Sequence, residues 1–133
     1  MRPPDQQGFA ISGFPMRPRS RGWISIVSNS PLYWPFIDPG YLSDPADLDL
    51  MIACIREARK VVAQPVFAEL GPREISPGPN LMTDAELIAD IREVSSTSWH
   101  LVGSCRIGQD DGAVVAPNLK VHGLEGSVPR TPR

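Results

Sequence analysis

Asp44-Pro45-Ala46-Asp47-Leu48-Asp49-Leu50-Met51-Ile52-Ala53-Cys54-Ile55-Arg56-Glu57-Ala58-Arg59-Lys60-Val61-Val62-Ala63 is the stretch on which the fold turns. Asp44 carries a carboxylate short enough to cap a helix start, Pro45 has the fixed φ suited to the first helical position, and Asp47 adds negative charge at the dipole's positive end. Leu48, Met51, Ile52, Ile55, Ala58, Val61 and Val62 recur at spacings of three and four, while Asp49, Arg56, Glu57, Arg59 and Lys60 fall mostly on the opposite side. The pattern predicts a helix from Pro45 to about Ala63, stopped by Pro65, with its apolar stripe given to a core rather than to a cofactor.

Downstream, Val66 to Leu81 carries Gly71-Pro72 and Pro77-Gly78-Pro79, which leaves room for nothing longer than a turn. Thr83 and Glu86 have capping-box spacing and start a second helix at Asp84, with Leu87, Ile88, Ile91 and Val94 as its buried face. The hydroxyls of Ser95-Ser96-Thr97-Ser98 compete for backbone hydrogen bonds and weaken that helix just before Trp99-His100, so the imidazole of His100 is expected at a helix end, ahead of a turn punctuated by Gly103 and Gly108. A lone His in such a place serves as a base or as a packed or surface histidine. Beyond it, Ala113 to Pro117 reads as a short strand and Leu119 to Gly126 as an extended piece, with His122 placed for packing near the sheet.

Upstream, Phe9 to Ile11 and Trp23 to Ser28 read as two strands flanking a basic turn whose Arg17, Arg19 and Arg21 have the bland reading of a solvated loop. Asn29 to Asp38 holds three prolines with Tyr33, Trp34 and Phe36, which forbids helix and predicts an extended loop pinned by its rings. Those rings either line a pocket or seal the core, and their area favours the core.

The 133 residues suit one small domain with one modest core, and residues 1–7, polar and rich in proline, are expected to fray. A net charge of −2 gives no basic stripe for nucleic acid, and no apolar run approaches a membrane-spanning length. Met1 to Gln7 lacks the pattern of a signal peptide, so a cytoplasmic setting is the expectation. Cys54 and Cys105 have neither CxxC spacing nor a His pair for a metal site; free thiols are expected, with Cys105 a small buried hydrophobe rather than a nucleophile.

Read as a motif, His100-Leu101-Val102-Gly103-Ser104-Cys105-Arg106-Ile107-Gly108 resembles the His-x-x-Gly-Thr-Cys-Arg-Met-Gly signature near the C-terminus of glucose–methanol–choline (GMC) flavoprotein oxidoreductases. Met16 to Ile24 is similar to that family's Leu-Arg-Pro-x-Ser-Arg-Gly-x-Val turn, Ile37 to Leu48 to its Ile-Asp-Pro-x-Tyr-Leu-Ser-Asp-Pro-x-Asp-Leu run, and Leu119 to Gly126 to its Leu-x-Val-His-Gly-Val-x-Gly run. These matches cover residues 8–126 as the C-terminal, substrate-side part of a longer protein. The resemblance implies an α+β fold, a small antiparallel sheet with two main helices, incomplete at its edges where another domain contributes. It implies an alcohol substrate oxidised by hydride transfer to FAD, with His100 as the base, Trp99 shaping the pocket, and Val102, Gly103, Ser104, Cys105, Arg106 and Gly108 forming the turn that orients the base. An imidazole suits that task because its unperturbed pKa is near neutral.

No Gly-x-Gly-x-x-Gly stands between a strand and a helix, so the chain alone is not expected to bind FAD or turn over substrate. The FAD-binding domain is expected to be missing or separately encoded. Residues 127–133 depart from the family's Leu-Arg-x-Ala-Asp-Ala-Ser continuation, and permissive codons for residues 126–133 read two bases later can spell that continuation, so the tail is expected to be either aberrant, as a frameshift product, or frayed. Two alternatives to a working C-terminal part stay open: a non-catalytic remnant, and the substrate-side subunit of a split flavoenzyme.

Overall fold

The computed structural model describes residues 8–125. Helix α1 spans Pro45–Val62. It starts where the sequence says: the Asp44 carboxylate accepts the Ala46 N–H at 2.9 Å, and Pro45 needs no partner in the first turn. It ends at Ala63, whose N–H donates to the Arg59 carbonyl at 3.0 Å, with Arg59 and Lys60 beside the negative end of the dipole. Helix α3, Asp84–Val94, begins at a complete capping box: Thr83 Oγ1 accepts from the Glu86 N–H, and the Glu86 carboxylate accepts the N–H and hydroxyl of Thr83 at 2.9 and 2.8 Å. Those donors, the Thr83 N–H foremost, hold the Glu86 carboxyl below its ordinary value.

Leu48 and Ile52 of α1 meet Leu87 and Ile91 of α3 to form the buried core, with Leu42, Met51, Ile55, Leu81 and Ile88 packed against it. The stripe is therefore core, as its spacing implies. Its C-terminal end is not: Val61 is exposed, and so is Val94, since each lies past the point where the two helices still face one another. Between them lie the single turn α2, Pro65–Ala68, and a proline-rich loop. Arg59 staples that loop, donating from Nε and Nη2 to the Glu74 carboxylate and from Nη2 to the Gly78 carbonyl at 3.0 Å. The N-terminal arm joins the same unit through Asp47, which is 3 % exposed. Its carboxylate accepts the N–H groups of Arg19 and Ser20, each at 2.8 Å, and the Ser20 hydroxyl.

Strand β1, Trp23–Ser25, pairs antiparallel with β2, Phe36–Asp38, in the register Trp23↔Asp38, Ile24↔Ile37, Ser25↔Phe36, and the rings of Trp23 and Phe36 stack at 4.7 Å. Here the structure corrects the sequence reading. Phe9–Ile11 forms no strand, and the partner of β1 is the end of the segment read as loop; Phe9 instead stacks on Phe67 at 5.6 Å. Tyr33 and Trp34 are exposed, not in the core, because the prolines around them hold the hairpin's connection away from any packing surface. The strand expected over Ala113–Pro117 is reduced to single bridges, Ile107↔Val115 and Val115↔Val121, because the turn closed by Leu119 N–H on the Ala116 carbonyl interrupts it.

The described residues divide into two compact units: residues 8–22 with Pro39–Ser95, and Trp23–Asp38 with residues 96–125. The class is α+β, with two main helices and a small antiparallel sheet. Among the described residues no helix is long and apolar enough to cross a membrane. The expected frayed residues 1–7 and the aberrant tail, 127–133, lie outside the described residues.

Candidate active site

His100 lies in the second unit, and its surroundings are built by the chain on both sides of it. Helix α3 closes on Ser95, whose extended conformation turns the chain out of the helix, so His100 stands beyond residues 96–99 rather than at a helix end. Thr97 Oγ1 accepts the Trp99 N–H at 3.0 Å, and Trp99 takes the left-handed conformation at φ 65°. The imidazole of His100 is exposed and takes no hydrogen bond among the described residues. Trp99 beside it is 83 % exposed and Val102 96 %.

From Gly103 onward the segment is tied down. Gly103, at φ 113°, opens a turn whose carbonyl accepts the Arg106 N–H at 3.2 Å. The Arg106 carbonyl accepts two N–H groups, from Val114 at 3.0 Å and Val115 at 3.2 Å, and Gly108 N–H donates to the Val115 carbonyl at 2.9 Å. Ala113 and Val115 are buried beneath. The Arg106 guanidinium returns across this loop to Asp110 in a two-pronged pair, Nη1 to Oδ2 at 2.8 Å and Nη2 to Oδ1 at 2.5 Å, and the same carboxylate accepts the Gly112 N–H at 3.0 Å. The guanidinium lies so close that a Cβ on Gly112 would fall 2.7 Å from Nη2. Its hydrogen bonds, and after them the Gly112 N–H, hold the Asp110 carboxyl far below the ordinary range, and Asp110 in turn raises the Arg106 pKa.

The structure thus brings Gly103, Ser104, Cys105, Arg106 and Gly108 into one closed turn, while Trp99, His100, Leu101 and Val102 project from its start. Cys105 is exposed rather than a small buried hydrophobe, because the turn points it outward from the Ala113–Val115 core; both thiols are free. His122 sits beside this bridge with Nε2 3.1 Å from the Gly108 carbonyl. Asp110 and Gly112 escaped the sequence reading. The four-residue step from Arg106 to Asp110 was their only signal, and it marks a pair on a helix rather than on a loop.

No cluster of three or more metal-ligating side chains occurs among the described residues. A dinucleotide is no better provided for. The N-terminus of α1 is filled by the Asp44 carboxylate with Asp47 in its first turn, and that of α3 by Thr83 with Asp84 and Glu86, so both repel a pyrophosphate.

A family model described as GMC oxidoreductase matches residues 18–127. The chain belongs to the GMC oxidoreductase family. An alcohol dehydrogenase [acceptor] of Pseudomonas putida is 44 % identical over 117 residues, 88 % of this chain and 21 % of that protein. A choline oxidase of Arthrobacter globiformis is 38 % identical over 93 % of this chain and 23 % of its own length. Versicolorin B synthase of Aspergillus parasiticus is 39 % identical over 89 % of this chain. Among solved structures, an FAD-dependent oxidoreductase from Chaetomium thermophilum superposes with a TM-score of 0.73 at 34 % identity, over 79 % of this chain and 18 % of that one. This GMC chain therefore spans about a fifth of the length of the relatives it matches.

Proposed function

We propose that residues 8–126 are the substrate-side part of a flavin-dependent GMC oxidoreductase that oxidises an alcohol to a carbonyl, with His100 as the base. The observation that carries this reading is the His100 imidazole itself: it is exposed, unused by the fold, and mounted on a segment whose far end is clamped. A ring nitrogen of neutral His100 accepts the substrate hydroxyl proton, which leaves alkoxide character on oxygen and makes the adjacent C–H bond a better hydride donor. FAD, held by a flavin-binding domain outside the described residues, supplies the hydride acceptor. Trp99 borders the substrate, and the turn from Val102 to Gly108 sets the direction in which the imidazole points. The setting we infer is cytoplasmic.

Alcohol dehydrogenase, choline dehydrogenase and choline oxidase among the relatives support a small alcohol as substrate. The test is an anaerobic titration of the purified chain mixed with a flavin-binding polypeptide from the same genome, following alcohol-dependent bleaching of the flavin. Bleaching that disappears in His100→Ala agrees with the reading and makes the protein a split enzyme. Neither bleaching nor flavin binding under any combination would make the isolated chain a non-catalytic remnant.

A further inference from the structure

We infer that the Arg106–Asp110 clasp is the positioning device of the His100 segment, with Asp110 as the residue on which it depends. The inference rests on the proposed role of His100 and deepens it. Three features point to it. The first is that residues 100–102 are exposed and hold no packing of their own, so their direction is inherited from their two ends, the Thr97–Trp99 hydrogen bond upstream and the turn that begins at Gly103 downstream. The second is that this turn is fixed at Arg106 from both sides: its N–H to the Gly103 carbonyl, its carbonyl to Val114 and Val115. The third is that the Arg106 side chain closes the loop from 106 to 115 across its waist, gripping a carboxylate that also holds the Gly112 N–H, with the Ala113 N–H on the Asp110 carbonyl at 2.9 Å.

An exposed ion pair ordinarily does little, because two long side chains must be ordered to make it. This one differs in geometry. A planar guanidinium meets a carboxylate with two bonds, and Gly108 and Gly112 leave room for it, since a Cβ on either would fall 3.1 Å from Nη1 or 2.7 Å from Nη2. Lysine in place of Arg106 keeps the charge and loses the fork, so it does not substitute.

The measurement is the amide and imidazole NMR spectrum of the full chain, wild type against Asp110→Asn and Arg106→Lys. The expected result is that resonances of residues 99–103, including the His100 ring, shift or broaden in both variants while those of Leu48, Ile52, Leu87 and Ile91 stay in place. In the flavin-reconstituted enzyme the same variants lower kcat at least tenfold and move KM less than threefold. Change confined to residues 106–115 overturns the inference, and so does loss of the core resonances in both variants, which would make the clasp a support of the fold. Absence of activity in the wild type would count against the proposed function alone, since the spectra judge the clasp without it.

Discussion

Asp47 shows how one side chain takes on a task its local sequence does not announce. Its place in the first turn of α1 reads as a charge for the helix dipole, yet the carboxylate also holds the backbone of Arg19 and Ser20, and no spacing rule joins positions 28 and 27 residues apart. The Ser20 hydroxyl and then the Arg19 N–H hold its carboxyl below the ordinary value of 3.8. A carboxyl lowered on folding stabilises fully above that ordinary value and loses the contribution as pH falls through the folded one. Asp47→Asn should therefore cost about 1–3 kcal/mol at pH 7 by urea denaturation, and the gap to wild type should narrow at pH 3. Gly40 carries a second residue-scale constraint. At φ 60° its missing Cβ makes way for the Arg21 carbonyl, so Gly40→Ala should lower stability by about 2 kcal/mol or more in the same assay, from left-handed strain together with the clash.

The two helices were legible in the sequence because their signals are local: Asp44-Pro45 opens α1, Thr83 and Glu86 open α3, and the three-and-four spacing marks the faces that meet. Thr83→Ala removes the side-chain half of the capping box, leaving the Thr83 backbone N–H on Glu86, and should cost about 1 kcal/mol, read as a lower midpoint of thermal unfolding. The strands were half legible. Trp23–Ser25 shows its β-branched and aromatic character, but its partner Phe36–Asp38 is three residues long and hidden among prolines, and pairing is a long-range property that neither segment encodes. The loop between α1 and α3 read correctly as irregular, while its staple did not. Arg59 looks like a solvent-facing residue of the helix, whereas it is half-buried against Glu74 and Gly78. Arg59→Gln should speed trypsin cleavage after Arg73 several-fold at unchanged core stability, measured by limited proteolysis.

Across the molecule, apolar surface is left uncovered in the unit that carries His100. Trp34 near the end of the hairpin's connection, Trp99 and Val102 all stand open. The sequence reading failed for Tyr33 and Trp34 because rings large enough to be core were assigned to the one core it expected, while the prolines around them keep them out of it. The family itself was legible from the His100–Gly108 motif, because such a motif is local chemistry, while the clasp by Asp110 emerges only once the loop is closed in space. The most direct test of the account puts this chain in place of the matching segment of the Pseudomonas putida alcohol dehydrogenase and follows alcohol-dependent flavin bleaching. The account predicts bleaching in the chimera and a loss of at least a hundredfold in its rate with His100→Ala. Equal rates with and without the imidazole would contradict it.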